Sequence, residues 1–400
     1  MQGDTIIITA VDAFPLAMPR ITDAADGTQD TFLVRIRTNT GVTGWGESDA
    51  SPLVSLAAYY CPMSHGNIIN IRESLLGERL ESPDDIRCLH AKVRRQGLDI
   101  EQIDHAYSAA DIALWDALGK QLGEPVYRLL GNAVAYPKLP YASVLFGDTP
   151  DETKRIAEEL SLQGYRAAKF GWGPMGKFGA DFDRDLVAAA RKGMGPAGEV
   201  MVDAGVAWGT DYETAYERAC AFAEFEPTWL EEPLAPDAID AYAELTKRKP
   251  PVPIAAGEGG NRFRTAQDIL ENGGVNFIQI DVGRIGGITP ARDVVALAKD
   301  RGAVYVNHTF KSHLSLAASF HVFAGEADFR YLEYPAAASD LARRLVSNPL
   351  VPGAGGLVRL HGGPGLGVDV DLGVVRQYLQ PTKIVMAGKT LVDVRVEDTE

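Results

Sequence analysis

Val200-Met201-Val202-Asp203, Thr228-Trp229-Leu230-Glu231 and Pro253-Ile254-Ala255-Ala256-Gly257-Glu258 are three apolar runs, each closed by a carboxylate. A short continuous apolar segment with little alternation fits a parallel strand covered on both faces, and helical patterns such as 211–225 lie between the runs. The carboxylates recur roughly every 25 to 30 residues, about one strand-loop-helix-loop unit of a (β/α) barrel. Strand C-termini converge on one face of that architecture, so acids far apart in sequence meet around a point. Three carboxylates brought together repel unless a cation lies between them. Oxygen-only ligands, with no Cys or His, favour Mg²⁺ or Mn²⁺ over Zn²⁺. Each acid taken singly reads equally well as a cap on the helix after its strand. Their common register favours the metal.

The same pattern extends outward in both directions. Residues 139–146 read as the first strand, 149–163 as its helix and 165–169 as the second strand, closed by Lys169 and followed by Phe170-Gly171-Trp172-Gly173-Pro174. Phe277-Ile278-Gln279-Ile280-Asp281, Val304-Tyr305-Val306-Asn307-His308 and Tyr331-Leu332-Glu333 supply the sixth, seventh and eighth strands. From the second strand onward every one ends in a titratable residue. Barrel stability does not require this, so the regularity marks a site.

Upstream, Thr-Phe-Leu-Val-Arg-Ile-Arg-Thr from Thr31, then Asn39-Thr40-Gly41, then Val-Thr-Gly-Trp-Gly-Glu to Glu47 reads as an antiparallel hairpin. That pairing is foreign to a parallel barrel and implies a separate α+β unit. Residues 103–121 form a helical pattern crowded with Ala109, Ile112, Ala113, Trp115 and Ala117, stopping at Gly123 with Pro125 beyond. Two irregular polar stretches, 19–27 and 48–67, are long enough to be functional loops. After Pro335 the chain turns to Gly and Pro; no strand leads into the glycine runs and no lysine follows them, which argues against a phosphate loop.

Four hundred residues suit a barrel of about 250 plus a second unit. A formal charge of −15 disfavours nucleic acid and anionic membranes as partners, while a metal and a few local cations can still invert the field inside one pocket. Cys61, Cys88 and Cys220 are too scattered for a disulfide framework or a zinc pattern and read as reduced thiols. With no basic N-terminal region and only Ile6-Ile7-Ile8 as an early apolar run, the expectation is a cytoplasmic protein.

Asp203, Glu231, Glu258, Asp281, His308 and Glu333 in this order resemble the enolase superfamily, specifically its mandelate racemase subgroup. The resemblance spans nearly the whole chain. It includes Asp111-Ile112-Ala113-Leu114-Trp115-Asp116 with Gly119-Lys120 and Gly123, Trp229-Leu230-Glu231-Glu232-Pro233, and Gly283-Arg284-Ile285-Gly286-Gly287-Ile288-Thr289. It implies a modified (β/α)₇β TIM-like barrel under an α+β capping domain built from the N-terminal region and the C-terminal tail. The expected segments are 1–135, 136–345 and 346–400. It also implies one Mg²⁺ per subunit on Asp203, Glu231 and Glu258, a His308–Asp281 base, Glu333 on the substrate carboxylate, and Lys169 as the first lysine of a Lys-x-Lys motif. The second lysine of that motif is replaced by Gly171. One base suits elimination better than racemisation. The expectation is therefore a homo-oligomeric Mg²⁺-dependent sugar-acid dehydratase, taking the proton α to the carboxylate of an aldonate or aldarate and expelling the β-hydroxyl to give a 2-keto-3-deoxy acid.

Racemisation, epimerisation or cycloisomerisation within the superfamily is the alternative. More remote are a metal-independent glycosidase using Glu231 and Glu258, and a sugar-acid binder without catalysis. His65 and Arg20 on the two polar loops, with Trp172, are the expected substrate contacts.

Overall fold

The computed structural model describes residues 5–22, 27–63, 66 and 68–399. It opens with an antiparallel sheet of β1 (Ile8–Ala17), β2 (Asp30–Thr38) and β3 (Thr43–Ser48), in that order. The expected hairpin is β2–β3, in register from Phe32↔Ser48 to Arg37↔Thr43. The sequence pattern did not reveal β1, because this edge strand is buried on parts of both faces and does not alternate cleanly. The C-terminal tail covers it: Gln380 N donates to Pro15 O at 2.8 Å, and Leu16 bridges Leu379.

The helix Ile103–Leu122 lies across this sheet and ends, as its pattern predicts, at Gly123 in the left-handed conformation. Alternate glycines in Gly44-Trp45-Gly46 permit the contact. A Cβ on Gly44 would stand 2.1 Å from Ala113 O, and one on Gly46 2.0 Å from Ala109 O.

The barrel strands are β4 (Leu139–Leu145), β5 (Ala167–Gly171), β6 (Glu199–Asp203), β7 (Leu230–Glu231), β8 (Ile254–Ala256), β9 (Phe277–Ile280), β10 (Val304–Asn307) and β11 (Tyr331–Pro335). All neighbours pair in parallel, in the order β10-β9-β8-β7-β6-β5-β4-β11. Seven helical segments alternate with the eight strands, so the expected (β/α)₇β architecture is observed. The two ends of this order meet through a side chain: Asn307 Nδ2 donates to Glu333 O at 3.2 Å while its Oδ1 accepts from Glu333 N at 2.9 Å.

Alternation selects the residues that enter the barrel, and register sets their height. Leu139, Tyr141, Ala167, Met201, Trp229, Ala255, Val306 and Tyr331 form an apolar inner layer. Two residues further along the same strands come Lys169, Asp203, Glu231, His308 and Glu333. Sequence spacing put Lys169 at a strand end. In the structure β5 runs on to Gly171, so Lys169 pairs with Met201, one layer below the Gly171–Asp203–Glu231 level.

After β11 the chain returns to the cap, ending in a hairpin of β12 (Thr382–Met386) and β13 (Lys389–Val394). Arg35 Nη2 donates to Asp398 O at 2.7 Å. The cap and barrel meet where two of the motifs noted above face one another. Thr289 N and Oγ1 donate to the Asp111 carboxylate at 3.0 and 2.6 Å, Trp115 Nε1 donates to Thr289 Oγ1 at 3.0 Å, and Gly286 N donates to Ser108 Oγ at 2.9 Å.

Gly287, at φ +100°, leaves no room for a side chain there: a Cβ would lie 2.3 Å from Asp111 Cβ. Gly287→Ala should therefore cost about 2 kcal/mol or more through strain and overpacking. A lowered thermal unfolding midpoint is the expected result, and an unchanged midpoint would show that this interface is not tight.

Candidate active site

Asp203, Glu231 and Glu258 are buried, and their ligand oxygens all lie within 4.8 Å of one another. None of them caps a helix. The helices that follow begin at Tyr212, Ile239 and Phe263, and their cap residues are Asp211, Ala238 and Arg262. Burial and the neighbouring Glu231 charge hold the Asp203 carboxyl well above its usual range. Burial lifts Glu231 to about 7 against the pull of Lys169. Burial also works to raise Glu258, but the charges of His308 and Lys169 prevail and hold it near 2. Buried acids that resist joint ionisation, with an oxygen-only donor set, fit a hard divalent cation.

Lys169 is enclosed beneath this cluster. Its ammonium contacts Glu231 Oε1, lies 2.8 Å from Glu333 Oε1 and stands 3.7 Å from Asp203 Oδ2. Burial disfavours its charge, yet these carboxylates raise it well above the ordinary lysine value. Glu333 Oε2 in turn accepts from Thr309 N at 2.8 Å, and Glu231 Oε2 accepts from Trp229 Nε1 at 2.9 Å. Each oxygen of Glu231 thus has a donor beside it, which fixes the orientation of the carboxylate.

His308 Nδ1 lies 2.7 Å from Asp281 Oδ2, and Gly283 N fixes the other Asp281 oxygen at 2.6 Å. The carboxylate selects the Nδ1–H tautomer and aims Nε2 toward the acids, 3.3 Å from Glu258 Oε2. Burial lowers the imidazole's affinity for a proton, but the Glu258 charge outweighs it and carries the group to about 9.

A cavity of about 400 Å³ opens onto these groups, lined by Ser143, Leu145, Gly171, Trp172, Arg284, His308 and Phe310 among others. His308 is thus on the wall, while the position of the missing second lysine offers only a glycine. A Cβ on Gly171 would stand 2.8 Å from Asp203 Oδ2. Trp172 reaches the cavity from a left-handed backbone, φ 54°, with its indole against Gly205. Arg20 is exposed and makes no hydrogen bond or ion pair among the described residues. His65 lies outside the described residues.

Sequence spacing did not single out four further charged groups. Arg284 Nε and Nη2 contact Asp49 Oδ2 at 2.7 and 2.6 Å, and Nη1 donates to Glu258 O at 3.2 Å. Lys311 Nζ lies 3.1 Å from both Asp49 Oδ1 and Asp30 Oδ1. Asp49 also stands within 4.8 Å of the Asp281–His308 pair, and there Arg284 supplies the balancing charge. The only sequence signal for Arg284 was its place inside the Gly283–Thr289 motif.

A (β/α)₇β barrel with acids at its strand ends, closed by a cap from both termini, defines an enolase-type enzyme. Residues 4–131 match the mandelate racemase / muconate lactonizing enzyme N-terminal domain and residues 152–374 the enolase C-terminal domain-like family; the chain belongs to this family. It is 45% identical to a Rhodobacter sphaeroides protein described as a predicted mandelate racemase, with a TM-score of 0.94 over 97% of this chain and 99% of the other. It is 27% identical to the D-galactarolactone cycloisomerase of Agrobacterium fabrum, over 87% of this chain and 91% of that protein. The 3,6-anhydro-D-galactonate cycloisomerase of Zobellia galactanivorans shares 26% identity and a TM-score of 0.80, over 94% and 99%. No helix among the described residues is long and apolar enough to cross a membrane.

The crowding of acids predicts a direct thermodynamic response. Mg²⁺ titrated into chelator-treated protein should bind at one site per chain and raise the unfolding temperature. Glu231→Gln should lose most of that heat of binding while remaining folded. Undiminished binding by the variant would exclude this triad as the metal site.

Proposed function

We propose that this chain catalyses β-elimination from a sugar acid, with His308 as the single base. The observation that carries this is the asymmetry of the cavity: a hydrogen-bonded His–Asp pair on one wall and Gly171 where a second base would stand. Lys169 does not take over that role, since its side chain is 2% exposed and its ammonium is held by Glu231 and Glu333. It serves instead as fixed positive charge below the carboxylate subsite, with Glu333 oriented alongside it.

Nε2 of His308 takes the proton from Cα, and the electron pair passes into an enediolate. The Cβ–O bond then breaks, and the protonated imidazole, on the same face, returns its proton to the leaving oxygen. The enol formed ketonises to a 2-keto-3-deoxy acid. Asp281 keeps the imidazole in the productive tautomer throughout. Asp203, Glu231 and Glu258 would hold a Mg²⁺ ion, which would supply the positive charge an enediolate needs and would offset the Glu258 charge that otherwise keeps the His308 proton in place.

Dehydration and ring-opening isomerisation differ here only in which oxygen leaves, a free hydroxyl or a ring oxygen. The two relatives named as cycloisomerases support a ring-form acid, a lactone or an anhydro sugar, as the first candidate substrate. Dehydration of an open-chain aldonate or aldarate is the second, and it uses the same residues. Trp172 and Phe310 offer apolar faces to a sugar ring on the wall beside His308.

Incubation with Mg²⁺ and a panel of mono- and diacid sugars in open, lactone and anhydro forms should yield a 2-keto acid from one ring form. His308→Asn should lose both product formation and α-proton exchange in deuterated water, by about 10²- to 10⁴-fold. Exchange that persists in this variant would reveal a second base and restore racemisation or epimerisation.

A further inference from the structure

The loop that carries His308 also grips the cap. Lys311, three residues on, is buried with a side chain only 5% exposed, and its ammonium reaches oxygens on two cap segments. It donates to Gly27 O at 2.6 Å and Asp30 O at 2.9 Å, and pairs with Asp30 Oδ1 and Asp49 Oδ1, both at 3.1 Å. Gly27 is itself part of the cavity wall. The next barrel loop holds the same segment from the other side: Ser339 N donates to Thr28 Oγ1 at 2.9 Å and Ser339 Oγ to Thr28 O at 2.7 Å. Asp49 passes the connection on to Arg284, which reaches the Glu258 carbonyl on the cavity floor.

We propose that Lys311 is a positioning residue for substrate binding: it seats Gly27–Asp30 as a wall of the cavity and ties that wall, through Asp49 and Arg284, to the acid-bearing end of the barrel. A buried ammonium with no role beyond stability would be a poor choice for this place, since an apolar residue of similar volume avoids its desolvation cost. What the charge adds is direction. Three N–H donors, shared among two backbone carbonyls and two carboxylates, fix all four relative to one point. Phe310, immediately before it, lies on the same cavity wall, so the loop His308–Ser312 aligns base, wall and cap together. This inference rests on the proposed active site only for its kinetic consequence; the seating of the cap can be measured without any substrate.

The test uses the full chain with Lys311→Met, and Asp30→Asn as a milder variant whose changed residue lies nearer the surface. Hydrogen–deuterium exchange of the 27–31 amides should quicken by about tenfold or more in Lys311→Met, and by less in Asp30→Asn, with the 304–307 amides unchanged; tenfold is the effect of losing roughly one charge-assisted hydrogen bond. On whichever sugar acid the panel yields, KM should rise by a similar factor, with kcat within about threefold and its pH profile unmoved. Unchanged exchange at 27–31, or an equal rise across the barrel strands, overturns the proposal. If Lys311→Met fails to fold, the exchange of Asp30→Asn decides alone. If no sugar acid is turned over, exchange still decides the positioning role, and only the functional proposal fails.

Discussion

Three carboxylates buried within 4.8 Å of one another are the constraint around which the rest of the molecule is arranged. Such a cluster is unfavourable by itself, because burial and mutual repulsion both oppose its ionised form. The fold answers with Lys169 fixed below, a hydrogen bond from Trp229 to Glu231, and a donor set suited to a divalent cation. Glu232 adds a fourth buried acid, its carboxyl lifted to about 8 by burial and by Glu258. The crowding of carboxyl groups is thus built into the fold, and it creates a place suited to a divalent cation.

The cap completes this site by charge as well as by shape. Asp49 and Asp30 come from the cap, Arg284 and Lys311 from the barrel, and each cation is used at least twice. Glu47, at the end of β3, accepts from Ser312 N and Oγ and from Ser315 N, so a cap residue also stabilises the start of the helix His313–Phe323. The two units are docked by polar groups that neither could leave buried alone.

Much of this was legible from the chain because it is local. Apolar runs ending in acids gave the barrel and its ligand end, the Asn39–Gly41 turn gave the hairpin, and Gly123 marked the helix end. The depth of Lys169 was not legible, because it depends on pairing with Met201 rather than on its own strand's composition. Nor was the Arg284–Asp49–Lys311–Asp30 chain, whose members span 30 to 311 in sequence and are adjacent only once the cap docks. Arg20, chosen from loop polarity alone, is at the surface, which shows how little a polar loop says about the direction its side chains take.

The return of the tail to β1 has a consequence for biosynthesis. β1 and β2 leave the ribosome long before the tail does, yet Pro15 and Arg35 find partners at Gln380 and Asp398. At about 5 to 20 residues per second, the wait for those partners is on the order of tens of seconds. Throughout that interval the Pro15–Leu16 end of the β1 edge lacks its cover, so the hazard of strand-edge association falls on the nascent chain more than on the finished protein.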